Sequence, residues 1–257
     1  MPLELTVVDA FTDRPFAGNP AAVAVVDAFP DVVRMAMVAR EMNLSETAFV
    51  VARGDGSYDL RWFTPTVEVD LCGHATLATA HVLGGSGSFH TRGGFLSCAA
   101  VGGGWIEMDF PGDPVVADDV PSAHGLGADV DVVSFVRGRE DMVFEVSDAT
   151  VVRRLEPDLA AIAALGSRAV IVTAAGDRPG VDCVSRVFGP NVGIAEDPVT
   201  GSAHCTLAAF WSTRLGHGEL VGEQASARGG TVRMRLAGDR VVLGGQAVTV
   251  ATVALHV

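Results

Sequence analysis

Two uncharged runs of small and apolar residues dominate the hydropathy pattern, one in each half of the chain. The first covers residues 74–83 and stops at Gly84, while the second covers residues 203–211 and ends before Gly216. A helix that is apolar on every side has to be buried on every side, and glycine just past the last turn is a common stop signal. The pattern therefore predicts two buried helices, one in each half.

The two runs belong to a longer internal repeat. Residues 72–78 read CGHATLA and residues 202–208 read SAHCTLA, so His74 and His204 share one frame. Other short motifs recur in the same order in both halves. They are Pro30-Asp31 with Pro157-Asp158, Ser45 with Ser167, Arg61-x-Phe63-x-Pro65 with Arg186-x-Phe188-x-Pro190, and Arg92-Gly93-Gly94 with Arg228-Gly229-Gly230. A repeat of about half the chain predicts two similar domains rather than a solenoid.

The remaining pattern fills each half with strands and one further helix. Apolar residues dominate or alternate over residues 3–11, 47–52 and 58–63, as in strands, and helical spacing follows both Pro-Asp motifs. We predict an α+β fold of two pseudosymmetric domains, each a β-sheet wrapped around a central buried helix. The predicted ranges are 1–112 and 113–245, with a linker near 111–121. Residues 246–257 form a terminal strand that pairs within its own half or returns to the first.

Composition narrows the class of protein. The net charge of −13 argues against nucleic acid or an anionic membrane surface as a partner. Because no apolar run could span a bilayer and no export signal is evident, we predict a cytoplasmic protein. The four cysteines lack zinc spacing and are expected to be reduced thiols. The chain contains no lysine, which excludes a lysine Schiff base, including one with pyridoxal phosphate.

The starts of the two buried helices are candidate binding sites. The first turn of a helix has unpaired N–H groups and a partial positive charge, which suit a carboxylate or a developing oxyanion. Gly73 allows close backbone approach at one start, and Gly201 does the same at the other, where Ser202 is the predicted N-cap. Ordinary capping of buried helices is the alternative interpretation. If the helix starts face each other, they form a cleft between the two domains.

The candidate catalytic residues are places where the repeat breaks. Glu46 occupies the position that Arg168 takes in the second half. A glutamate beside an apolar strand is usually solvated, but in a cleft it is suited to general acid–base chemistry. His74 would be the second titrating group. Asp197, in an insertion just before the second buried helix, would be a third group pointing into the cleft.

Thiol and metal chemistry are weaker alternatives. Cys72 could form a thiolate activated by the helix start and His74. A two-thiol enzyme needs a second cysteine at the symmetric position, which is Ser202, while Cys205 lies deeper in the predicted helix. His204 falls inside the helix with no suitably spaced ligand partner, so we predict no metal site.

Four stretches of the sequence resemble the phenazine-biosynthesis PhzF-like family, whose members share the diaminopimelate epimerase fold. They span most of the chain and read FTDRPFAGNPAAV (11–23), NLSETAFV (43–50), FTPTVEVDLCGHATLA (63–78) and FGPNVGIAEDPVTGSAHC (188–205). The resemblance implies that no cofactor is needed. It also implies that Glu46 carries the substrate proton with help from His74 and Asp197. By the same resemblance, backbone amides near Gly73, Gly201 and Ser202 hold the substrate carboxylate. We predict Cys72 and Asn19 as further substrate-binding residues.

We therefore predict a cofactor-independent isomerase that moves a proton on a small unsaturated cyclic amino or carboxylic acid. By the resemblance, the substrate is similar to dihydro-3-hydroxyanthranilate or another secondary-metabolite intermediate. One alternative is a non-catalytic protein that binds a metabolite or a partner on the same fold. Another is a thiol enzyme that depends on Cys72. The expected partners are a small carboxylate and, for assembly, a second copy of the chain.

Overall fold

A computed structural model of the chain describes residues 2–256. Within this range the chain forms eighteen β-strands, five α-helices and a 3-10 turn at Pro190–Val192. The helices are α1 (Val32–Met42), α2 (Gly73–Val82), α3 (Ala149–Arg154), α4 (Leu159–Ala164) and α5 (Gly201–Leu215).

The strands are distributed over the whole length of the chain. The first nine are β1 (Leu3–Ala10), β2 (Asn19–Val26), β3 (Glu46–Ala52), β4 (Tyr58–Phe63), β5 (Glu68–Val69), β6 (Gly87–Thr91), β7 (Gly94–Gly102), β8 (Trp105–Pro111) and β9 (Val116–Ala117). The others are β10 (Val132–Arg137), β11 (Asp141–Val146), β12 (Ala169–Ala175), β13 (Cys183–Gly189), β14 (Ile194–Asp197), β15 (Glu219–Gln224), β16 (Gly230–Ala237), β17 (Arg240–Gly245) and β18 (Ala247–Leu255).

These elements form two compact units. The first unit consists of Met1–Asp109 with Gly244–Val257, and the second unit is Phe110–Leu243. The chain therefore divides after residues 109 and 243, where the sequence suggested 112 and 245. The terminal strand β18 pairs antiparallel with β1, so the end of the chain belongs to the first unit.

Strand order is the same in the two units. In the first unit the strands run β18-β1-β2-β3-β4-β6-β7-β8, and the β2–β3 and β4–β6 pairs are parallel. In the second unit they run β9-β10-β11-β12-β13-β15-β16, with β11–β12 and β13–β15 parallel. The other neighbours in both series are antiparallel. The predicted α+β class with an internal repeat is confirmed.

Both predicted buried helices are present. Every residue of α2 from His74 to Ala80 is buried, because the helix packs on β1, β2, β3 and β18. Helix α5 packs on β15 and β16 and buries residues along most of its length. It ends at Gly216, whose φ of 76° is the left-handed conformation that glycine adopts most easily. The short helix α3 has no counterpart in the sequence prediction.

The repeated Arg-x-Phe motif has a structural role in each unit. The guanidinium of Arg61 donates two hydrogen bonds to Glu68, at 2.7 and 2.9 Å, and stacks over the phenylalanine two residues later. Arg186 makes the same pair of bonds to Glu196, at 2.7 and 2.9 Å, and stacks in the same way. Such bidentate pairs fix both partners in orientation. They attach the short strands β5 and β14 to the neighbouring longer strands.

In the part of the chain from residue 2 to residue 256, no helix is both long and apolar enough to cross a bilayer.

His204, the counterpart of His74 in the repeat, is a core residue. Its ring is fully buried, and Nδ1 lies 2.8 Å from the carbonyl oxygen of Thr200. A Cβ at Gly222 would lie 2.9 Å from the ring, so a glycine is required for this packing. Burial lowers the pKa of His204 from 6.5 to about 4, and the ring is neutral at physiological pH.

This burial predicts a pH-dependent stability. The unfolded chain binds a proton at His204 below pH 6.5, whereas the folded chain binds it only near pH 4. The pH-dependent contribution of His204 to the free energy of unfolding is roughly 3 kcal/mol. It is present in full above pH 6.5 and is lost as the pH falls toward 4. His204→Asn should therefore show a flatter pH dependence of the free energy of unfolding, measured with urea on both sides of pH 6.5. His217→Asn, at an exposed histidine, is the control, and parallel profiles for wild type and His204→Asn would contradict the prediction.

Candidate active site

Four of the predicted site residues come together at one edge of the first unit. Asn19 is the first residue of β2 and Glu46 the first residue of β3. Because these strands are parallel neighbours with Ala21 opposite Glu46, both side chains start from the same edge of the sheet. Helix α2 begins at this edge as well and contributes Cys72, its N-cap, and His74.

His74 lies at the centre of this cluster. Its Nε2 atom is 2.9 Å from Oε2 of Glu46. On the other side of the ring, Nδ1 is 3.2 Å from the amide nitrogen of Asn19 and 3.6 Å from Sγ of Cys72. An unprotonated Nδ1 can accept from the Asn19 amide, and a protonated Nδ1 can donate to the sulfur. Nδ1 therefore has a hydrogen-bond partner in both protonation states of the ring. A side chain that accepts and releases protons needs partners in both states.

The Glu46–His74 contact has unused hydrogen-bonding capacity. The side chain of His74 is 6% exposed and that of Glu46 is 11% exposed. Neither Oε2 of Glu46 nor Nε2 of His74 has a hydrogen bond of standard geometry to any residue in the described range 2–256, although the two atoms are in contact. Buried polar atoms are nearly always paired, so such a deficit is typical of a functional site.

The charges of the cluster are coupled. Burial by itself would lower the pKa of His74, but the contacts with Cys72 and Glu46 outweigh it and the pKa is raised well above 6.5. Burial raises the pKa of the Cys72 thiol above 9.0, and the charge of Glu46 adds to the effect. Cys72 is therefore protonated at neutral pH, and Glu46 is the negative partner that keeps the imidazolium stable.

The start of α2 leaves its backbone donors without a side-chain cap. Cys72 is in an extended conformation and makes no capping hydrogen bond with its side chain. Gly73, the first helical residue, is half-buried and has no Cβ to obstruct an approaching group. The first turn can therefore bind an anion next to Glu46 and His74.

In the second unit, Asp197 is held by a small polar network. Oδ2 of Asp197 accepts a hydrogen bond from the hydroxyl of Thr200 at 2.5 Å. The fully buried side chain of Gln224 donates to the carbonyl of Asp197 at 2.7 Å and accepts from the amide of Thr200 at 2.9 Å. Gln224 thus fixes the loop between β14 and α5 at both of its ends.

The predicted N-cap of α5 is wrong. Thr200 is the N-cap, Gly201 is the first helical residue and Ser202 lies inside the first turn. The amide of Thr200 is bonded to Gln224, so the chain turns into the helix two residues before Ser202. The side chain of Thr200 is engaged with Asp197 and makes no capping bond, so this helix start is also uncapped by a side chain.

The hydroxyl of Ser202 contacts Arg168 instead. Nη2 of Arg168 donates to Oγ of Ser202 at 3.0 Å and also contacts Asp141, which is buried. Nε of Arg168 lies 3.1 Å from Glu140. The position that holds Glu46 in the first unit is thus occupied here by an arginine.

One group of potential metal ligands is present among residues 2–256. One ligand atom from each of Glu46, Cys72 and His74 lies within 4.8 Å of the others. Thiolate, imidazole and carboxylate together are a zinc-type donor set. However, the sulfur approaches Nδ1 of the ring and the carboxylate approaches Nε2. One ion could not bind all three without a rearrangement of the cluster.

The sequence analysis missed two contributors to these arrangements. Gln224 is a buried polar residue at the end of strand β15, and Asp141 is the first residue of a buried strand. A polar residue at an inward-facing strand position was the available signal. The prediction that Glu46, His74 and Asp197 line one cleft concerns both units together and stays a prediction.

Comparison with known proteins assigns the class of this chain. A relative from Pseudomonas aeruginosa, named an uncharacterized isomerase, is 48% identical over 267 residues, which cover 99% of this chain and 100% of the relative. A crystal structure of a PhzF family protein from Enterococcus faecalis has a TM-score of 0.94 and 38% identity, and covers 100% of both chains. The fold is also that of a hydroxyproline epimerase from Agrobacterium vitis, with a TM-score of 0.60 at 12% identity over 99% of this chain and 94% of that chain. The protein is an isomerase with the epimerase-type fold.

A match to a protein-family model shows the family of the chain. The model of the phenazine biosynthesis-like protein family matches residues 8–253. The chain therefore belongs to this family, and the resemblance seen in its motifs is confirmed.

The cluster predicts that the protonation of His74 depends on Glu46. Glu46→Gln removes the negative charge beside Nε2 while burial remains, so the pKa of His74 should fall. Titration of the imidazole nitrogens by 15N NMR measures the shift. The exposed Glu41→Gln serves as the control and should leave His74 unchanged. An unaltered His74 titration in Glu46→Gln would show that the two side chains are not coupled.

Proposed function

We propose that this isomerase moves a proton on a small unsaturated cyclic amino or carboxylic acid and that Glu46 is its general acid–base. The observation that carries the proposal is the buried contact of Glu46 with His74, whose facing atoms are 2.9 Å apart and lack standard hydrogen bonds. Both side chains can accept and donate protons, and the facing atom of each can still form a hydrogen bond with a substrate. A substrate similar to dihydro-3-hydroxyanthranilate is the specific candidate.

The proposed reaction has two proton transfers and no net oxidation. The carboxylate of Glu46 accepts a proton from a C–H group next to the unsaturated system, and the electron pair of that bond moves into the conjugated system and the substrate carboxylate. The carboxyl group of Glu46 exchanges this proton with solvent and then donates a proton to a different carbon, and the double bonds shift. A single positioned carboxylic acid is sufficient for both steps.

The other polar groups stabilise the charge that develops between these steps. The positive charge of His74 lies beside Glu46, and the uncapped N–H groups at Gly73 are available to donate to a negative substrate group. Asp197, held by Thr200 and Gln224, is proposed to assist by contacting the substrate. Ser202 and the first turn of α5 are proposed to hold the substrate carboxylate.

Deuterium exchange tests the proposal directly. In deuterated water, wild-type protein incubated with a panel of cyclic diene carboxylates should introduce deuterium at carbon, detected by NMR and mass spectrometry. Glu46→Gln keeps the shape of the side chain but cannot carry a proton, so turnover should fall by roughly 10²–10⁴-fold. Glu41→Gln should retain wild-type turnover. Uptake by Glu46→Gln at the wild-type rate would show that another group transfers the proton.

A second substitution separates this mechanism from thiol chemistry. Cys72 is buried and its pKa is raised, so it is a poor thiolate at neutral pH. Cys72→Ser should therefore lose less than roughly tenfold in turnover, well below the loss expected for removal of a general base. A loss as large as that of Glu46→Gln, with the fold intact by circular dichroism, would assign the proton transfer to the thiol.

A further inference from the structure

The geometry of the second unit points to Arg168 as a positioning residue, which orients the hydroxyl of Ser202 to donate to a ligand carboxylate. This inference rests on the proposed function, in which Ser202 holds the substrate carboxylate. It adds a residue that the sequence analysis identified only as the counterpart of Glu46.

Arg168 is fixed by two acidic residues. Its Nη2 atom makes a short contact with Asp141, whose side chain is 2% exposed, while Nε faces Glu140 at 3.1 Å. The side chain of Arg168 itself is 33% exposed. A buried carboxylate thus holds the inner end of the guanidinium at the boundary of the unit, where it cannot change rotamer without leaving Asp141 unpaired.

The same Nη2 atom determines the direction of the Ser202 hydroxyl. It donates to Oγ of Ser202 at 3.0 Å and thereby occupies one lone pair of that oxygen. A hydroxyl group that accepts on one side is left with its own O–H for another acceptor. This O–H donates no hydrogen bond to another residue among residues 2–256. The half-buried Ser202 therefore presents a donor whose orientation is restricted by Arg168 and which donates to no other residue in the described range.

The surroundings of this donor suit a carboxylate. Ser202 is the second residue of the fifteen-residue helix α5, and Thr200 does not cap the helix with its side chain. The positive end of the helix and the O–H group of Ser202 both favour a negatively charged acceptor such as a carboxylate. Because Asp141 and Glu140 neutralise much of the arginine charge, the main effect of Arg168 is orientation rather than attraction.

The repeat supports this division of roles. Arg168 occupies the position of Glu46, and Ser202 that of Cys72, each next to the first turn of a buried helix. In the first unit the Glu46 position holds the proposed proton-carrying carboxylate, which lies against His74. The second unit has a donor pair that cannot accept a proton from carbon near neutral pH. The equivalent positions would thus serve proton transfer in the first unit and substrate binding in the second unit.

The test compares two probes that differ only in the anchored group. The probes are 3-hydroxyanthranilate and its carboxamide, and their dissociation constants are measured by calorimetry. Wild type should prefer the carboxylate. Arg168→Met should weaken carboxylate binding by roughly 10–100-fold, the range of one charge-assisted hydrogen bond, and carboxamide binding by less than about threefold. Arg178→Met, at an exposed ion-paired arginine, is the matched control and should change neither constant.

Three further measurements separate positioning from other roles. Ser202→Ala should lose the same preference, and Arg168→Met should add no further loss in the Ser202→Ala background. Arg168→Lys keeps the charge but lacks the fork that reaches Asp141 and Ser202 together, so it should restore little of the preference. Equal weakening of both probes by Arg168→Met, together with a lower unfolding temperature, would show a purely structural role and overturn the inference.

Other results also overturn it, and they are distinct from failure of the proposed function. An added loss in the double variant would mean that Arg168 contacts the ligand itself. A wild type that does not prefer the carboxylate would mean that no anchor of this kind exists. Neither result affects deuterium uptake through Glu46, and absent uptake with a preserved carboxylate preference would contradict the proton transfer alone.

Discussion

The contact between Glu46 and His74 depends on the burial of α2. The helix is enclosed by strands of the first unit, so its first turn has one position relative to the edge where β2 and β3 begin. That position brings an imidazole within 2.9 Å of a carboxylate in surroundings with little water. In such surroundings charges interact more strongly, which is why the pKa of His74 is raised despite burial. The packing of an apolar helix thus sets the electrostatics of the candidate site.

The repeat shows how one scaffold can support two kinds of chemistry. The strand order and the Arg–Glu pairs that hold the short strands are the same in both units. The residues that differ are those at the helix starts. His74 faces a carboxylate and its pKa rises, whereas His204 faces a backbone carbonyl in an apolar core and its pKa falls to about 4. The same residue type in the same frame is therefore a titrating group in one unit and a neutral core residue in the other.

Much of the fold could be predicted from the sequence, because its main signals are local or repeated. Helices α2 and α5 are apolar over several turns, and the order of motifs is the same in both halves. Glu46 could be singled out as a break in that order. The N-cap of α5 could not be predicted correctly, because the helix start depends on a hydrogen bond between Thr200 and Gln224, which is distant in the sequence. The contacts of Arg168 with Asp141 and Ser202 were missed for the same reason, since they join residues far apart in the sequence.

The thiol at Cys72 illustrates why a residue beside a helix start is not necessarily a nucleophile. A helix start and a neighbouring imidazolium both favour a thiolate. At Cys72, however, burial and the charge of Glu46 act in the opposite direction, and the pKa is raised. The sulfur lies 3.6 Å from Nδ1 of His74, on the side of the ring opposite Glu46. A protonated thiol there accepts from the imidazolium weakly and leaves most of its positive charge facing Glu46. Cys72 thus fits a role in holding the ring, which is consistent with the proposal that the carboxylate of Glu46 carries the proton.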